Sequence, residues 1–300
     1  MRALVTGGRG FVGTWLAAHL RAQGDDVVVT GEDVDVTDAG AVRSSLADIQ
    51  PDAVYHLAGW AAVGSSWENP AAVFSVNANG ALHILDAARH LPATPRVLIV
   101  SSAEVYGRVQ PEQLPLTEDM AVSPVSPYAA SKVAAEVVAR QAFLGFGLDV
   151  FVVRPFNHIG PGQAPGFVVS DLAKRIVEAQ RTGATTLSMG NPTPRRDLTD
   201  VRDVVRAYRL LIERGVPGET YNVCSGDDVV IGDLARRLIA LSGSELELLT
   251  SSIDVRAVDV PVLRGDAAKL RQATGWSPEI PLDDTLRDVL AYWREQPAPA

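Results

Sequence analysis

The sequence predicts an α/β protein with a doubly wound parallel sheet and a smaller mixed α/β lobe. In the first half of the chain, apolar runs of strand length alternate with longer helical patterns, as expected for consecutive β-α-β units. The runs are rich in Val, Leu and Ile without strict alternation, which is typical of strands that have helices on both faces. A glycine-rich turn joins the first run to the first helical pattern.

Each element follows from this alternation in order along the chain. Strands are predicted at residues 2–6, 26–30, 53–57, 96–101 and 148–153, and helices at residues 10–23, 39–49, 70–90 and 127–145. After residue 156 the pattern loosens, with helices predicted at 168–182, 201–214, 267–274 and 283–295 and strands at 220–224 and 245–250. We therefore expect residues 1–155 and 197–224 to form the large domain, and residues 156–196 and 225–300 to form the lobe.

The composition excludes several classes of protein. Among 300 residues, 36 are acidic and 27 basic, and a net charge of −9 argues against binding to nucleic acid or an anionic membrane. The single cysteine, Cys224, excludes an intrachain disulfide, and the five histidines lack the spacing of metal ligands. No apolar stretch reaches the roughly 18 residues of a membrane span. We expect a cytoplasmic protein without a bound metal.

The turn after the first strand reads TGGRGFVG and has the pattern of a dinucleotide site. Gly7 permits a tight turn, Gly10 lets the backbone approach a pyrophosphate, and Gly13 lets the helix pack on the strand. The amides at the start of the helix, at Phe11 and Val12, are expected to donate to the phosphates.

The residues after the second strand bear on which dinucleotide binds. No acidic residue is obvious at the strand end, where one would hold the adenosine ribose hydroxyls, since the run reads VTG and Glu32 is displaced. Arg9 can instead pair with a ribose 2′-phosphate, because a guanidinium matches phosphate geometry, or it is a solvated surface arginine. Asp35 lies where a contact to adenine is expected, with Val36 beside it. NADPH is slightly favoured over NADH.

A serine, a tyrosine and a lysine form the candidate catalytic group. The fourth strand runs into Ser102, and Tyr128 and Lys132 follow four residues apart in a predicted helix, on one face and one turn apart. A cationic lysine stabilises a phenolate, so we expect Lys132 to lower the pKa of Tyr128. Such a tyrosine would act as an acid or base near neutral pH.

These motifs together resemble the extended short-chain dehydrogenase/reductase family, whose members act on nucleotide sugars. The resemblance covers essentially the whole chain, and it is carried by the glycine turn, HLAG at 56–59, Asn77, the serine strand, the tyrosine and lysine pair, RPFN at 154–157 and the regions of Arg196 and Asp203. It implies a Rossmann fold with NAD(P) bound. Ser102 is then expected to hydrogen-bond the reacting oxygen, Tyr128 to move the proton, and Lys132 to hold the nicotinamide ribose.

The resemblance implies further site residues. Asn77 matches the asparagine that supports the proton relay, although a structural asparagine bonded to a backbone carbonyl is the alternative. The remaining matches to cofactor-binding positions are Leu57, Ala58, Gly59 and Pro155. The matches to substrate-binding positions are Asn157, Arg196 and Arg256, of which the arginines would neutralise a pyrophosphate.

Within the family, the runs at residues 156–163, 195–203 and 258–266 are most similar to reductases of 4-keto-6-deoxy sugars. The implied enzyme reduces the C4 ketone of a nucleotide-activated 4-keto-6-deoxy sugar with NAD(P)H, and Tyr128 protonates the oxygen. GDP-4-keto-6-deoxy-D-mannose is the expected substrate and GDP-D-rhamnose the product, with the nucleotide implied by the resemblance alone.

Three other functions stay open at this point. Sugar 4,6-dehydratases carry an acid and a base in a Thr-Asp-Glu or Thr-Ser-Glu run, and here Ser102 and Glu104 flank Ala103, which has neither group. Glu104 then orients a sugar hydroxyl or bonds a neighbouring backbone amide. A 4-epimerase would use the same serine, tyrosine and lysine. A non-catalytic nucleotide-sensing relative would be favoured by loss of Tyr128 or Lys132, and both are present.

Members of this family commonly form homodimers through two long helices. In this chain the corresponding helices are those predicted at residues 70–90 and 127–145. The resemblance therefore implies a homodimer that binds a nucleotide sugar.

Overall fold

The computed structural model of the protein describes residues 1–250 and 260–297. The strands in these ranges are β1 (Arg2–Thr6), β2 (Asp26–Val29), β3 (Ala53–His56), β4 (Arg96–Val100), β5 (Val150–Pro155), β6 (Asn157–Ile159), β7 (Thr186–Met189), β8 (Arg195–Asp200), β9 (Thr220–Val223), β10 (Asp228–Val230), β11 (Glu247–Thr250) and β12 (Val262–Leu263). The α-helices are α1 (Phe11–Ala22), α2 (Ala39–Ile49), α3 (Pro70–Phe74), α4 (Gly80–Ala88), α5 (Pro127–Phe146), α6 (Val168–Thr182), α7 (Val201–Arg214), α8 (Ile231–Ser242), α9 (Ala268–Thr274) and α10 (Leu282–Glu295).

Six parallel strands form the large sheet, in the order β2-β1-β3-β4-β5-β9. The chain moves outward from β1 to β2 and then returns to the other side of β1 for β3, so the strand order reverses between β1 and β3. In open sheets of this kind, ligands bind beyond the carboxyl ends of the strands at that reversal. The five strands predicted in the first half are all present, and the predicted doubly wound fold is confirmed.

The two faces of the large sheet bury separate apolar clusters. On β1, Ala3 and Val5 face the cluster built with α1 and α7, whereas Leu4 faces the cluster built with α2, α4 and α5. Because side chains alternate along a strand, a strand covered on both faces is apolar at every position. Burial of both faces of the sheet therefore fixes the position of the carboxyl ends of its strands.

The lobe contains more strands than the sequence predicts. β8 lies between β10 and β12 and also pairs with β6, while β7 pairs with β11. The helices α6, α8 and α10 bury a third apolar cluster against these strands. The stretch between residues 156 and 196 was expected to be irregular apart from one helix. That expectation is wrong for β6, β7 and the start of β8, which are too short, at three to six residues, to show a clear periodicity.

The helix predicted at residues 70–90 is interrupted by one wider π turn, Ser75–Asn79, between α3 and α4. Such π turns are often found at functional sites. Here the turn contains Asn77, which is 2% exposed and points toward α5. Within the described residues, the structure has no helix that is both long and apolar enough to cross a membrane.

One glycine shapes the segment that follows β4. Gly107 ends the short 3-10 turn Ala103–Tyr106 with a φ of +68°, and a Cβ at this position would lie 1.8 Å from the Ser123 carbonyl oxygen. Gly147 ends α5 with a nearly identical φ of +70°, but a Cβ there would meet no atom within 4 Å. The two glycines therefore share a positive φ but differ in ψ, which is −138° at Gly107 and 23° at Gly147, and in the space around them.

Gly107→Ala is expected to destabilise the protein far more than Gly147→Ala. Alanine in the left-handed region costs about 1 kcal/mol at Gly147, whereas the φ and ψ of Gly107 are open mainly to glycine, and the backbone of Ser123 must also move there. The free energy of unfolding, measured by urea denaturation followed by circular dichroism, is expected to fall by about 3 kcal/mol or more in Gly107→Ala. Equal losses in the two variants would contradict the packing described for Gly107.

Candidate active site

The glycine turn lies directly against the segment that leaves β3. Gly7 has a φ of +64°, and a Cβ there would lie 2.7 Å from the Ala58 nitrogen. A Cβ at Gly13 would lie 2.4 Å from the Gly7 carbonyl oxygen, so α1 packs tightly on the turn. Leu57 and Ala58 are half-buried and Gly59 is exposed, which places these residues along the rim of the reversal point.

The start of α1 suits a pyrophosphate. Gly10 is the cap residue of α1, is exposed, and has no side chain that could accept from the first amides of the helix. The amides of Phe11 and Val12 follow it at a helix N-terminus, where the peptide dipoles favour an anion. A dinucleotide therefore fits the residues present at this turn.

The end of β2 carries a cation that is already paired. The Arg9 guanidinium lies 3.3 Å from an Asp33 carboxylate oxygen, and its stem crosses Gly31, where a Cβ would lie 3.0 Å from Arg9 Cδ. The Gly31 amide also donates to Asp33, at 2.8 Å. The sequence analysis missed Asp33, because only in three dimensions does this carboxylate turn back onto the glycine and the arginine.

The segment after this turn holds the other expected adenosine contacts. Asp35 is exposed, and its carboxylate accepts from the amide and the hydroxyl of Thr37, both at 2.8 Å, which holds its pKa below the usual value. Val36 is buried in the cluster beneath it. Asp38 caps α2 by accepting from the amides of Gly40 and Ala41.

The serine, tyrosine and lysine meet at the carboxyl end of β4. Tyr128 and Lys132 are each 8% exposed, and the Lys132 ammonium lies 5.9 Å from the centre of the Tyr128 ring. Lys132 donates to the Val100 carbonyl at 2.8 Å, while Ser102 hydrogen-bonds the Tyr128 hydroxyl. The structure thus brings together the three side chains that the sequence predicts to act as a group.

The electrostatics of this group differ from the sequence prediction. Burial raises the pKa of Tyr128 to about 12. The hydrogen bond from Ser102 lowers this pKa, whereas the nearby charge of Glu104 raises it further. The prediction that Lys132 lowers the pKa of Tyr128 is wrong for this arrangement. The ammonium points to the Val100 carbonyl, so desolvation of the phenol outweighs it. Tyr128 is therefore a neutral phenol near pH 7 and holds a proton that it can donate.

Lys132 and His56 both lie deep in the site. Burial lowers the pKa of Lys132 to about 8, and the negative charge of Glu136 acts against this. Burial also lowers the pKa of His56 to about 3, and the charge of Lys132 adds to that effect. His56 is therefore neutral near pH 7, and its Nδ1 bonds the Thr6 hydroxyl at 2.8 Å.

Asn77 joins the π turn to α5. Its amide nitrogen donates to the Ser131 hydroxyl at 2.8 Å, and its Oδ1 accepts from the Trp60 backbone amide at 2.8 Å. A Cβ added at Gly59 would lie 3.0 Å from Asn77 Oδ1 and 3.3 Å from the Lys132 nitrogen. Asn77 and Lys132 therefore face the same small space, and the bonds to Ser131 and Trp60 also give Asn77 a structural role.

Ala103 and Glu104 begin the 3-10 turn after β4. Ala103 is 2% exposed, whereas Glu104 is half-buried and its amide donates to the Ser102 hydroxyl at 3.2 Å. The influence of Glu104 on the pKa of Tyr128 places its carboxylate near the phenol. The position between Ser102 and Glu104 carries only a buried methyl group.

The expected substrate residues lie on neighbouring strands beyond Pro155, which is buried at the end of β5. Asn157 starts β6 and is exposed; its register partner on β8 is Leu198, two residues after Arg196. Arg196 is half-buried and donates to the Val260 carbonyl at 2.8 Å. Asn157 and Arg196 thus lie on two paired strands, while Arg256 lies outside the described residues.

Phe11 links the glycine turn to the lobe. Its ring stacks on the His158 imidazole, with centroids 6.2 Å apart and planes inclined by 12°. In the same region, the Trp15 indole donates to the Pro161 carbonyl at 3.0 Å. In the described ranges of the chain, no group of His, Cys, Asp and Glu side chains has the arrangement of a metal site.

Comparisons with known proteins agree with this geometry. The model of the NAD dependent epimerase/dehydratase family matches residues 3–224. The GDP-6-deoxy-D-mannose reductase of Pseudomonas aeruginosa is 36% identical over 298 residues, which cover 98% of each chain. The UDP-glucose 4-epimerase of Mycolicibacterium smegmatis is 30% identical over 320 residues, which cover 99% of each chain.

A solved structure shows the same similarity in three dimensions. The structure of RMD from Pseudomonas aeruginosa complexed with NADPH has a TM-score of 0.89 and 36% identity, covering 98% of this chain and 99% of that one. The predicted Rossmann-type fold and the similarity to a GDP-6-deoxy sugar reductase are confirmed. The family model, the fold and the glycine turn with its serine, tyrosine and lysine all agree. This chain therefore belongs to the NAD dependent epimerase/dehydratase family.

Proposed function

We propose that this protein reduces the C4 ketone of GDP-4-keto-6-deoxy-D-mannose to give GDP-D-rhamnose, with NADPH as the preferred cofactor. The observation that carries the proposal is the buried Tyr128 hydroxyl. It is held by Ser102 at the carboxyl end of β4 and is neutral near pH 7. The curated reductase that is 36% identical over nearly the whole chain supports the substrate class.

The residues of the chain fit a reduction. Bound NAD(P)H supplies the hydride that adds to the ketone carbon. Ser102 donates a hydrogen bond to the ketone oxygen and fixes it beside Tyr128. Tyr128 transfers its proton to that oxygen as negative charge develops there, and a proton from solvent then restores the phenol. The ammonium of Lys132 is assigned to hold the nicotinamide ribose.

The local chemistry favours reduction over dehydration. A 4,6-dehydratase must first oxidise its substrate and then remove water, so it needs proton-transfer groups for both steps. Dehydration further needs an acid and a base next to the serine, and the middle position of that run is Ala103. In the reductase, we assign Glu104 to a sugar hydroxyl and Asn77 to the placement of Lys132.

Arg9 is the residue that we assign to NADPH preference. Its guanidinium reaches the end of β2, beyond Gly31, where the adenosine ribose is expected. The RMD structure of Pseudomonas aeruginosa, which contains NADPH, supports this choice. Asp33 holds Arg9 in place at 3.3 Å, and a ribose 2′-phosphate would share the guanidinium with it. Asp35 and Val36 are assigned to the adenine side.

The nucleotide sugar is assigned to the lobe, residues 156–196 and 225–300, and the cofactor to residues 1–155 and 197–224. Asn157 and Arg196 support this division because both lie on paired strands of the lobe, Asn157 at the start of β6 directly after β5 and Arg196 on β8. Arg196 supplies positive charge for the pyrophosphate, and we assign Arg256 the same role.

We also propose a homodimer through α3, α4 and α5. Large apolar side chains on these helices are between 41% and 66% exposed, namely Phe74, Leu82, Val137, Leu144 and Phe146. Two cavities lie beside α5, one lined also by residues of β5 and β9 and the other by residues of α4. A twofold arrangement would bury these side chains between the two partners, because an isologous contact uses the same face of each partner.

Turnover tests the proposed reaction directly. Loss of NADPH absorbance at 340 nm is expected with GDP-4-keto-6-deoxy-D-mannose, and the product is expected to be GDP-D-rhamnose by chromatography and NMR. Tyr128→Phe should lower kcat by about a thousandfold, because general acid catalysis contributes roughly 10² to 10⁴. Its affinity for NADPH should be unchanged in a fluorescence titration, since the phenol does not hold the phosphates.

The matching control replaces Tyr292, a half-buried tyrosine of α10 that lies in the lobe. Tyr292→Phe should keep wild-type kcat. Unchanged turnover in Tyr128→Phe, or loss of water from GDP-mannose in place of ketone reduction, would contradict the proposal.

Arg9→Ala is expected to raise the KM for NADPH about tenfold and leave the KM for NADH nearly unchanged. Hydrogen bonds to a charged partner contribute about 1.5–3 kcal/mol, and about 1.4 kcal/mol corresponds to a factor of ten. Arg21→Ala, on the far end of α1, serves as the control. Equal changes in the two KM values would show that Arg9 does not recognise the 2′-phosphate.

Charges placed on the exposed face of α5 are expected to dissociate the dimer. The double variant Val137→Asp, Leu144→Asp should elute with the mass of one chain in size-exclusion chromatography with light scattering, and the wild type with twice that mass. Val216→Asp, at an exposed apolar position after α7, is the control and should behave like the wild type. A monomeric wild type would refute the dimer.

A further inference from the structure

Three consecutive residues, the last of β4 and the two that follow it, form hydrogen bonds with side chains on three consecutive turns of α5. The Val100 carbonyl accepts from Lys132 at 2.8 Å, the Ser101 hydroxyl donates to Glu136 Oε1 at 2.5 Å, and Ser102 hydrogen-bonds Tyr128. Residues 128, 132 and 136 are spaced by four, so they lie on one face of the helix. Two of these three links contain the proposed catalytic side chains, and the third contains Glu136.

Glu136 is itself held rigidly from the next strand. Both of its carboxylate oxygens accept from the Arg154 guanidinium on β5, at 2.9 and 2.7 Å, and the two side chains are 11% and 7% exposed. Arg154 also donates to the Tyr106 hydroxyl at 3.1 Å, and Tyr106 donates to Asn222 at 2.7 Å. A two-pronged pair of this kind fixes the orientation of the carboxylate as well as its position.

Glu136 also supplies negative charge to the site. It lies one turn beyond Lys132. Burial lowers the pKa of Lys132 to about 8, and the Glu136 carboxylate opposes this lowering. The other titratable groups around the lysine are Tyr128 on α5 and His56 on β3, both neutral near pH 7. Among these neighbours, Glu136 is the one that stabilises the ammonium.

We propose that Glu136 is a positioning residue for the reaction: through Ser101 it fixes the end of β4 against α5, and through its charge it keeps Lys132 protonated. The reaction it serves is the one proposed above. Glu136 is separated from the substrate by Lys132 and Ser102, so it acts on the ketone only through these two side chains. Arg154 neutralises part of the carboxylate and keeps it buried.

The charge of Lys132 can be measured without cofactor or substrate. The chain has three lysines, Lys132, Lys174 and Lys269, so ¹³Cε-lysine labelling gives three lysine signals that Lys→Arg variants assign. In Glu136→Gln, the midpoint of the Lys132 titration is expected to move down by roughly one pH unit or more, since a nearby opposite charge shifts a pKa by about 1–3. The other two signals should not move.

Glu219→Gln is the matched control. Glu219 pairs with Lys269 at 2.6 Å on the partly exposed edge of β9. This change should affect the Lys269 signal alone and leave kcat at the wild-type value. An unmoved Lys132 midpoint in Glu136→Gln would overturn the charge role of Glu136, and it would do so whether or not the proposed reaction is correct.

Kinetics separate the two roles. The protonated lysine is the active form, so the wild-type kcat/KM should fall as the pH rises through about 8, and in Glu136→Gln this fall should begin at lower pH. Ser101→Ala keeps the ion pair with Arg154 and should lower kcat about tenfold with an unchanged pH profile and NADPH affinity, by loss of one hydrogen bond to a charged group. Glu136→Asp should restore the pH profile but not the Ser101 contact.

Glu136→Gln leaves a buried guanidinium without its carboxylate, so folding is checked by the positions of the Lys174 and Lys269 signals. If the variant does not fold, Glu136→Asp and Ser101→Ala carry the test. A wild-type kcat in Ser101→Ala would overturn the positioning role.

Discussion

The contact between the end of β4 and the first half of α5 controls the chemistry of this protein. It buries a phenol, an ammonium and a carboxylate on one helix face and satisfies them with a carbonyl and two hydroxyls from residues 100–102. A charge in such a place is costly unless it is paired, because water no longer solvates it. The pairing therefore decides both the fold of this edge and the protonation state of each catalytic group.

The resting protonation state of Tyr128 follows from that burial. Desolvation disfavours the phenolate of Tyr128, so the side chain carries its proton into the encounter with substrate. This state suits a carbonyl that has to gain a proton.

Most of the large sheet could be predicted from the sequence, because strands with apolar residues on both faces, such as β4 and β5, leave a continuous apolar signal. The glycine turn and the pair Tyr128 and Lys132 were equally visible, since each depends on spacing along one element. β6, β7 and β8 were missed because strands of three to six residues have too few positions to show a period. The pair Glu136 and Arg154 depends on which strand lies beside α5. The spacing of Glu136 from Lys132 was nevertheless a signal that could have found it.

The pKa of Tyr128 was predicted in the wrong direction for a related reason. Spacing showed that Lys132 is near, but the orientation of the ammonium toward Val100 and the burial of the phenol are properties of the folded edge. Local sequence therefore predicted the candidate catalytic residues, and the surrounding packing determined their charge.

The most direct test of this account is the titration of Tyr128 itself. The chain has six tyrosines, and ¹³Cζ-tyrosine labelling with Tyr128→Phe as the assignment variant isolates the signal of Tyr128. The account predicts the chemical shift of a neutral phenol throughout the range from pH 6 to pH 10 in the free protein. A phenolate shift at pH 7 to 8 would contradict it, because Tyr128 would then lack the proton that the ketone requires.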